Sequence, residues 1–192
     1  MLQHLDELKE ILKKYSLCVD DVIIVGSGAI SEIGGRINND IEFCVRKKAR
    51  PKIPFYIRFL LLFVDHYDVS ENVDLFANRY LRLGMYDSDI EKKHCFHKLE
   101  GTEFYMVNPE YELGYKYFRN WPKDKIDFEN IEKDARIKTR IDYSLFSSII
   151  EKKCSFRNKL YCAFRRHMWK YKEYGEKFLK KNYNLINKKY ES

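Results

Sequence analysis

Three acidic residues in strand-like surroundings, Asp40, Glu42 and Asp74, are the side chains of this sequence best placed to do chemistry. Successive side chains of a β-strand point to opposite faces, so in Asp40-Ile41-Glu42 the two carboxylates share one face, about 7 Å apart along the chain. Like charges at that spacing repel unless a cation lies between them, and a divalent metal is the usual one. Asp74 lies in Asn72-Val73-Asp74-Leu75-Phe76, where Val73 and Leu75 turn one way and the acid the other. Asp65 and Asp68 compete for the part of third acid; the apolar flanks favour Asp74. Three carboxylates from neighbouring strands make the hard oxygen site that Mg²⁺ prefers, with metal–oxygen distances of about 2.0–2.1 Å and phosphate oxygens completing the octahedron. In a two-ion arrangement, with the ions about 3.5–4 Å apart, one serves the triphosphate of an NTP and the other acidifies an attacking hydroxyl. Asp74, bordering the attacking group, is the candidate general base.

The residues ahead of the acidic pair fit the same chemistry. Val22-Ile23-Ile24-Val25 reads as a strand and runs into Gly26-Ser27, where a short helix starts. Glycine at such a turn lets the backbone approach a phosphate, and the free N–H groups and helix dipole there favour an anion. Ser27 adds a hydroxyl.

At this level the chain resembles the DNA polymerase β-like nucleotidyltransferase superfamily: Gly-Ser before a short helix, an Asp-x-acid strand, then a third acidic strand. Within that superfamily, GSGAISEIGGRINNDIEF is similar to the small antibiotic nucleotidyltransferases of lincosamide and aminoglycoside type, with Gly26, Ala29, Gly35, Arg36, Asp40 and Glu42 at the matching positions. The later stretch MVNPEYELGYKYFRNWPKDKIDFENI resembles the helical segment that follows the sheet in those enzymes, through Pro109, Glu110, Lys116, Lys123, Asp124 and Asp127. The resemblance implies that Gly26, Ser27, Arg36 and Lys116 bind the nucleotide, that Mg²⁺ is the cofactor, and that Asp40, Glu42 and Asp74 hold it. It departs from the antibiotic enzymes at Ser27, where they have Gly, and at Glu42, where they have Asp. The loop from Arg36 to Asp40 is also shorter, so their substrates do not carry over. Asp124 and Asp127 are expected to cap and salt-bridge the helix joint rather than to touch substrate.

The elements that must position these groups follow from periodicity. Leu2, Leu5, Leu8, Ile11, Leu12 and Tyr15 recur at helical spacing, so residues 2–15 form an amphipathic helix. Strands are expected at 21–25, 40–46 and 72–76, with a short helix at 29–33 between the first two. The apolar run 55–64 reads as a helix by its length, and 79–107 as short strands including a hairpin turned at Glu100-Gly101. Helices are expected at 109–119, opened by Asn108-Pro109, at 127–138, and from 142 onward. The fold class is therefore α/β (α+β), a small mixed sheet carrying helices. Residues 1–107 form a nucleotidyltransferase core and 108–192 a helical C-terminal region.

Bulk composition narrows the surroundings. The 192 residues, 45% hydrophobic, suffice for a buried core. No run of about 18 apolar residues occurs, and the acids of MLQHLDELKE stand where a secretory signal needs an apolar core, so a cytoplasmic protein is expected. Five cysteines without a C-x-x-C pair read as buried small hydrophobes, and His94-Cys95-Phe96-His97 lacks a fourth ligand for zinc. The net charge of +7 is concentrated after residue 150, where thirteen Lys and Arg face four Asp and Glu; residues 1–150 hold 23 against 25. There Phe156, Leu160, Phe164, His167, Tyr171, Tyr174 and Phe178 form one helical stripe, expected to pack on the core or on a second copy, or to meet an anionic membrane surface. Nucleic acid is not an expected partner, since no named RNA-binding motif occurs. The function this sums to is transfer of a nucleoside monophosphate from an NTP to a hydroxyl or phosphate of a small-molecule acceptor, releasing pyrophosphate. The alternatives are a non-catalytic binding module of the same fold, which works through the basic helix, and a minimal transferase that modifies protein or tRNA.

Overall fold

A computed structural model describes residues 2–34, 39–151 and 155–168. The N-terminal helix α1 (Leu5–Lys14) buries Leu8, Ile11 and Leu12, three and four residues apart, as the periodicity requires. A 3₁₀ turn leads into strand β1 (Val22–Val25), whose four side chains are all buried. Gly26 then turns the chain into helix α2 (Ser27–Glu32). Strand β2 (Ile41–Val45) returns antiparallel to β1, and helix α3 (Phe55–Leu60) occupies the start of the apolar run.

Strand β3 (His66–Asp68) is a three-residue strand that hydrophobic patterning does not reveal, and it pairs antiparallel with β4 (Val73–Phe76). Residues 79–83, read from sequence as part of the strand region, form a 3₁₀ turn bracketed by Asn78 and Gly84 in left-handed conformation. Helix α4 (Asp87–Ile90) follows, and then the expected hairpin, β5 (Phe96–Lys98) and β6 (Tyr105–Val107), with Gly101 at positive φ in its turn. The C-terminal region holds α5 (Pro109–Arg119), α6 (Pro122–Lys133), α7 (Ala135–Lys138), α8 (Tyr143–Ile150) and α9 (Phe156–Met168). Helix α6 starts five residues earlier than its apolar pattern suggests, because Pro122 sits at its first turn and Asp124 accepts a hydrogen bond from the Trp121 N–H at 2.9 Å.

The fold is a mixed α+β architecture with one six-stranded sheet in the order β3-β4-β2-β1-β6-β5. The β2–β4 and β1–β6 pairs are parallel and the others antiparallel. One hydrophobic cluster joins Leu8 and Ile11 of α1, the strand residues Ile24, Ile41, Phe43 and Leu75, and Tyr111 and Tyr115 of α5. The core therefore continues across the junction at residues 107 and 108. A second cluster, with Ile30, Ile33, Leu113, Ile131, Ile137 and Ile141, fastens α2 to the C-terminal helices.

The fold corrects one expectation, that the cysteines are buried small hydrophobes; Cys154 lies outside the described residues. Cys44 and Cys95 are buried, but Cys18 is exposed and Cys162 half-buried, since neither α9 nor the turn before β1 is covered on that side. In the C-terminal stripe Phe156, Leu160 and Phe164 are exposed, and the Phe164 ring lies 6.5 Å from that of Phe63. The helix turns Asn158 inward instead. Residues 169–192, which carry Tyr171, Tyr174 and Phe178, lie outside the described residues. Among the described residues no helix is long and apolar enough to cross a membrane.

Candidate functional site

Strand register brings the acids together. Glu42 of β2 and Asp74 of β4 are directly paired on adjacent parallel strands, and Asp74 is paired in turn with Asp68 of β3. Paired residues of neighbouring strands share a face of the sheet, so Glu42, Asp74 and Asp68 project the same way, with His66 two residues before Asp68 beside them. Asp40, just ahead of β2, joins them. Asp40, Glu42 and Asp74 all line one cavity of about 290 Å³. Its strand side also includes Asp65, His66 and Phe76; Arg79 and Asn78 come from the turn after β4, and Tyr115, Arg119, Trp121 and Lys123 from α5 and the start of α6.

Glu42 is held by groups that sequence periodicity does not reveal. Both arms of the Arg79 guanidinium donate to it at 3.2 Å, and the Ser27 backbone N–H donates to its Oε2 at 2.9 Å. Arg79 also forks onto Glu112 of α5, Nε at 3.1 Å and Nη2 at 2.8 Å, and Tyr80 donates its hydroxyl to the same carboxylate at 3.1 Å. Burial raises the Glu112 carboxyl, but the charge and hydrogen bonds of Arg79, with the charges of Lys116 and Arg119, together hold it below the usual range. Burial also opposes the charge on Arg79, and Glu112 and Glu42 outweigh it, so the guanidinium stays firmly protonated. No periodic signal marks a lone arginine after a strand, so Arg79 is legible only in three dimensions.

The Gly26-Ser27 turn serves these carboxylates. Gly26 has φ 77° and ψ −151°, a conformation essentially confined to glycine, and a Cβ there would lie 1.4 Å from Glu42 Oε2. Ser27 is buried, and its hydroxyl reaches Asp40 Oδ1 at 3.4 Å. Its N–H and O–H thus orient Glu42 and Asp40.

Lys116, expected at the triphosphate, is buried with its Nζ 2.8 Å from Asp127 and 3.7 Å from Asp124, and it does not line the cavity. Asp124 also takes both arms of Arg119, Nε at 2.9 Å. Burial raises the Asp124 carboxyl, and Arg119, the Trp121 N–H and Lys116 together bring it below its ordinary value. These acids tie α5 to α6 as expected, and they aim Arg119 at the cavity, where it stacks on Trp121 with 4.5 Å to the ring centre. Arg36 lies outside the described residues.

The residues fit a divalent metal only in part. Asp40 and Asp74 offer oxygen to the cavity, whereas three of the roughly four acceptor positions of Glu42 are already used. A second set exists on the other side of Asp74: ligand atoms of His66, Asp68 and Asp74 all lie within 4.8 Å of one another. Comparison of the chain with protein-family models, curated proteins and solved structures found no match.

Proposed function

We propose that this chain is a metal-dependent nucleotidyltransferase, moving a nucleoside monophosphate from an NTP to a hydroxyl or phosphate of a small-molecule acceptor in the cytoplasm. The observation that carries the reading is the convergence of Asp40, Glu42 and Asp74 on a cavity that also contains Arg79, Arg119 and Lys123. Acids alone suit a cation and basic side chains alone suit an anion. Both in one cavity suit a metal–triphosphate.

In this reading Arg119 and Lys123 take the phosphates, and the exposed part of the Trp121 ring, which lines the same cavity, offers a surface for the base. The acceptor oxygen attacks the α-phosphorus, the bond to the bridging oxygen of pyrophosphate breaks, and an Asp74 oxygen takes the acceptor proton. A divalent ion, when bound by Asp74 with its neighbours, neutralises charge on the phosphates and lowers the acceptor pKa. A groove beside the cavity, sharing Asn78 and lined by Leu81, Tyr86, Arg157 and Leu160, supplies a path for the acceptor.

The engagement of Glu42 by Arg79 favours a second reading, a nucleotide-binding module that does not turn over. Incubation with labelled NTPs, a divalent metal and cell extract separates the two. Label entering small molecules with release of pyrophosphate supports transfer, label in protein or RNA moves the acceptor class, and nucleotide binding by calorimetry without any labelled product supports the module.

A further inference from the structure

His66 stands on an edge strand with carboxylates on both sides of its ring. Its Nε2 is 3.3 Å from Asp68 Oδ1, and its Nδ1 faces Asp65 Oδ1 at 3.9 Å. Phe76, its cross-strand partner, stacks on the imidazole with centroids 4.9 Å apart and planes 27° apart, which holds the plane of the ring. Metal-binding histidines commonly direct one nitrogen at the ion and the other at a carboxylate that orients the ring. Asp65 is the carboxylate facing Nδ1 and would have to close by about an ångström to take that second part.

The cross-strand pairing Asp68–Asp74 supplies two oxygens next to Nε2. Three donors on one ion at about 2.0–2.2 Å stand roughly 3–4 Å from one another. The ligand atoms of these three residues already lie within 4.8 Å of one another, so closure on an ion takes side-chain adjustment and no movement of the strands. Glu42, on the opposite flank of Asp74, is the poorer ligand: a metal there would sit against the buried Arg79 guanidinium, and Arg79 is itself anchored by Glu112.

We infer that the metal site of this chain is built by His66, Asp68 and Asp74, one strand outward from the Asp40–Glu42 pair, and that it takes a first-row divalent transition ion in preference to Mg²⁺. Mg²⁺ selects oxygen donors, whereas first-row transition ions accept imidazole nitrogen with carboxylate. Glu42 then acts as a fixed anion that holds Arg79 and the Ser27 N–H, and Asp74 belongs to both groups. The inference rests on the nucleotidyl-transfer reading only for what the ion is used for.

Mn²⁺ added to the full chain without nucleotide tests it by electron paramagnetic resonance. Bound Mn²⁺ is expected to show coupling to one ¹⁴N nucleus, and tenfold or more excess Mg²⁺ should leave it bound. His66→Gln should erase the coupling and weaken Mn²⁺ at least tenfold, Asp68→Asn should weaken it similarly, and Glu42→Gln should change it less than threefold. Wild-type protein that binds no Mn²⁺, or binds it without nitrogen coupling, overturns the assignment before any variant is needed. So does loss of binding in Glu42→Gln with retention in His66→Gln. Nitrogen-coupled Mn²⁺ in a protein that transfers no nucleotide keeps the metal site and removes the transferase.

Discussion

Arg79 and Glu42 meet fork to fork, 3.2 Å at each arm, and the same guanidinium grips Glu112 of α5 from its other edge. One cation from the turn after β4 thereby ties the acidic face of the sheet to the helical layer. Removing one member of a buried ion group leaves uncompensated charge and costs about 3–5 kcal/mol. Arg79→Met should lose that much stability in urea denaturation. Pairing it with Glu112→Gln should lose less than the sum of the single changes, because the buried negative charge goes with its partner. Additive losses would show that the three groups are not coupled.

Gly26→Ala meets two obstacles, the positive φ and the contact with Glu42 Oε2. The backbone alone costs about 1–3 kcal/mol. Introduced into Glu42→Ala, the same change should cost less than in wild type, since only the backbone strain remains. Thermal melting of the four proteins measures the difference, and an equal cost in both backgrounds would rule out the close approach.

Asp40 lies on the cavity and is held by the Ser27 hydroxyl. If it helps to place the metal–triphosphate, Asp40→Ala should lower turnover about a thousandfold, roughly 4 kcal/mol of barrier. Steady-state rates with the folded variant measure this, and a near wild-type rate removes Asp40 from the reaction.

His97 joins β5 to the end of α2, with Nε2 at 2.8 Å from Glu32 and Nδ1 at 2.8 Å from Asn108. The Glu32 hydrogen bond raises its pKa above the ordinary 6.5, against the opposing effect of burial. A histidine whose folded-state pKa is raised adds stability that is full below about 6.5 and is lost as the pH rises through the folded-state value. The stability difference between wild type and Glu32→Gln should therefore be larger near pH 5.5 than near pH 9, read from urea midpoints. A difference independent of pH would mean that the pair contributes no charge.

The parts of the site legible in sequence are those that a period of two controls. Asp40, Glu42 and Asp74 stand out because each breaks an apolar alternation, and parallel register then puts Glu42 beside Asp74. His66 is hidden, and Asp68 ranks below Asp74, because β3 has only three residues, too few to show an alternation. Arg79 and Glu112 are hidden for another reason: an ion pair 33 residues apart leaves no mark on local spacing. Lys116 has the chemistry of a phosphate ligand but sits on a buried helix face, where Asp127 and Asp124 satisfy it. Helices are legible where apolar spacing is regular, as in α1, or where a proline marks the first turn, as in α5. At α6 the apolar spacing alone points five residues too late, although Pro122 and Asp124 mark the start.

The position of β1 inside the sheet also sets the order in which the chain can fold. Its antiparallel neighbour β2 follows within about 20 residues, but its parallel neighbour β6 arrives only with Met106, which pairs with Ile24. Closing a parallel contact across some 80 residues of chain carries a large loop entropy and slows folding. Until that closure, Val22-Ile23-Ile24-Val25 presents one unpaired apolar edge. During synthesis the growing chain carries this sticky edge until α5 begins to emerge, which makes β1 the segment that a holding chaperone would have most reason to cover.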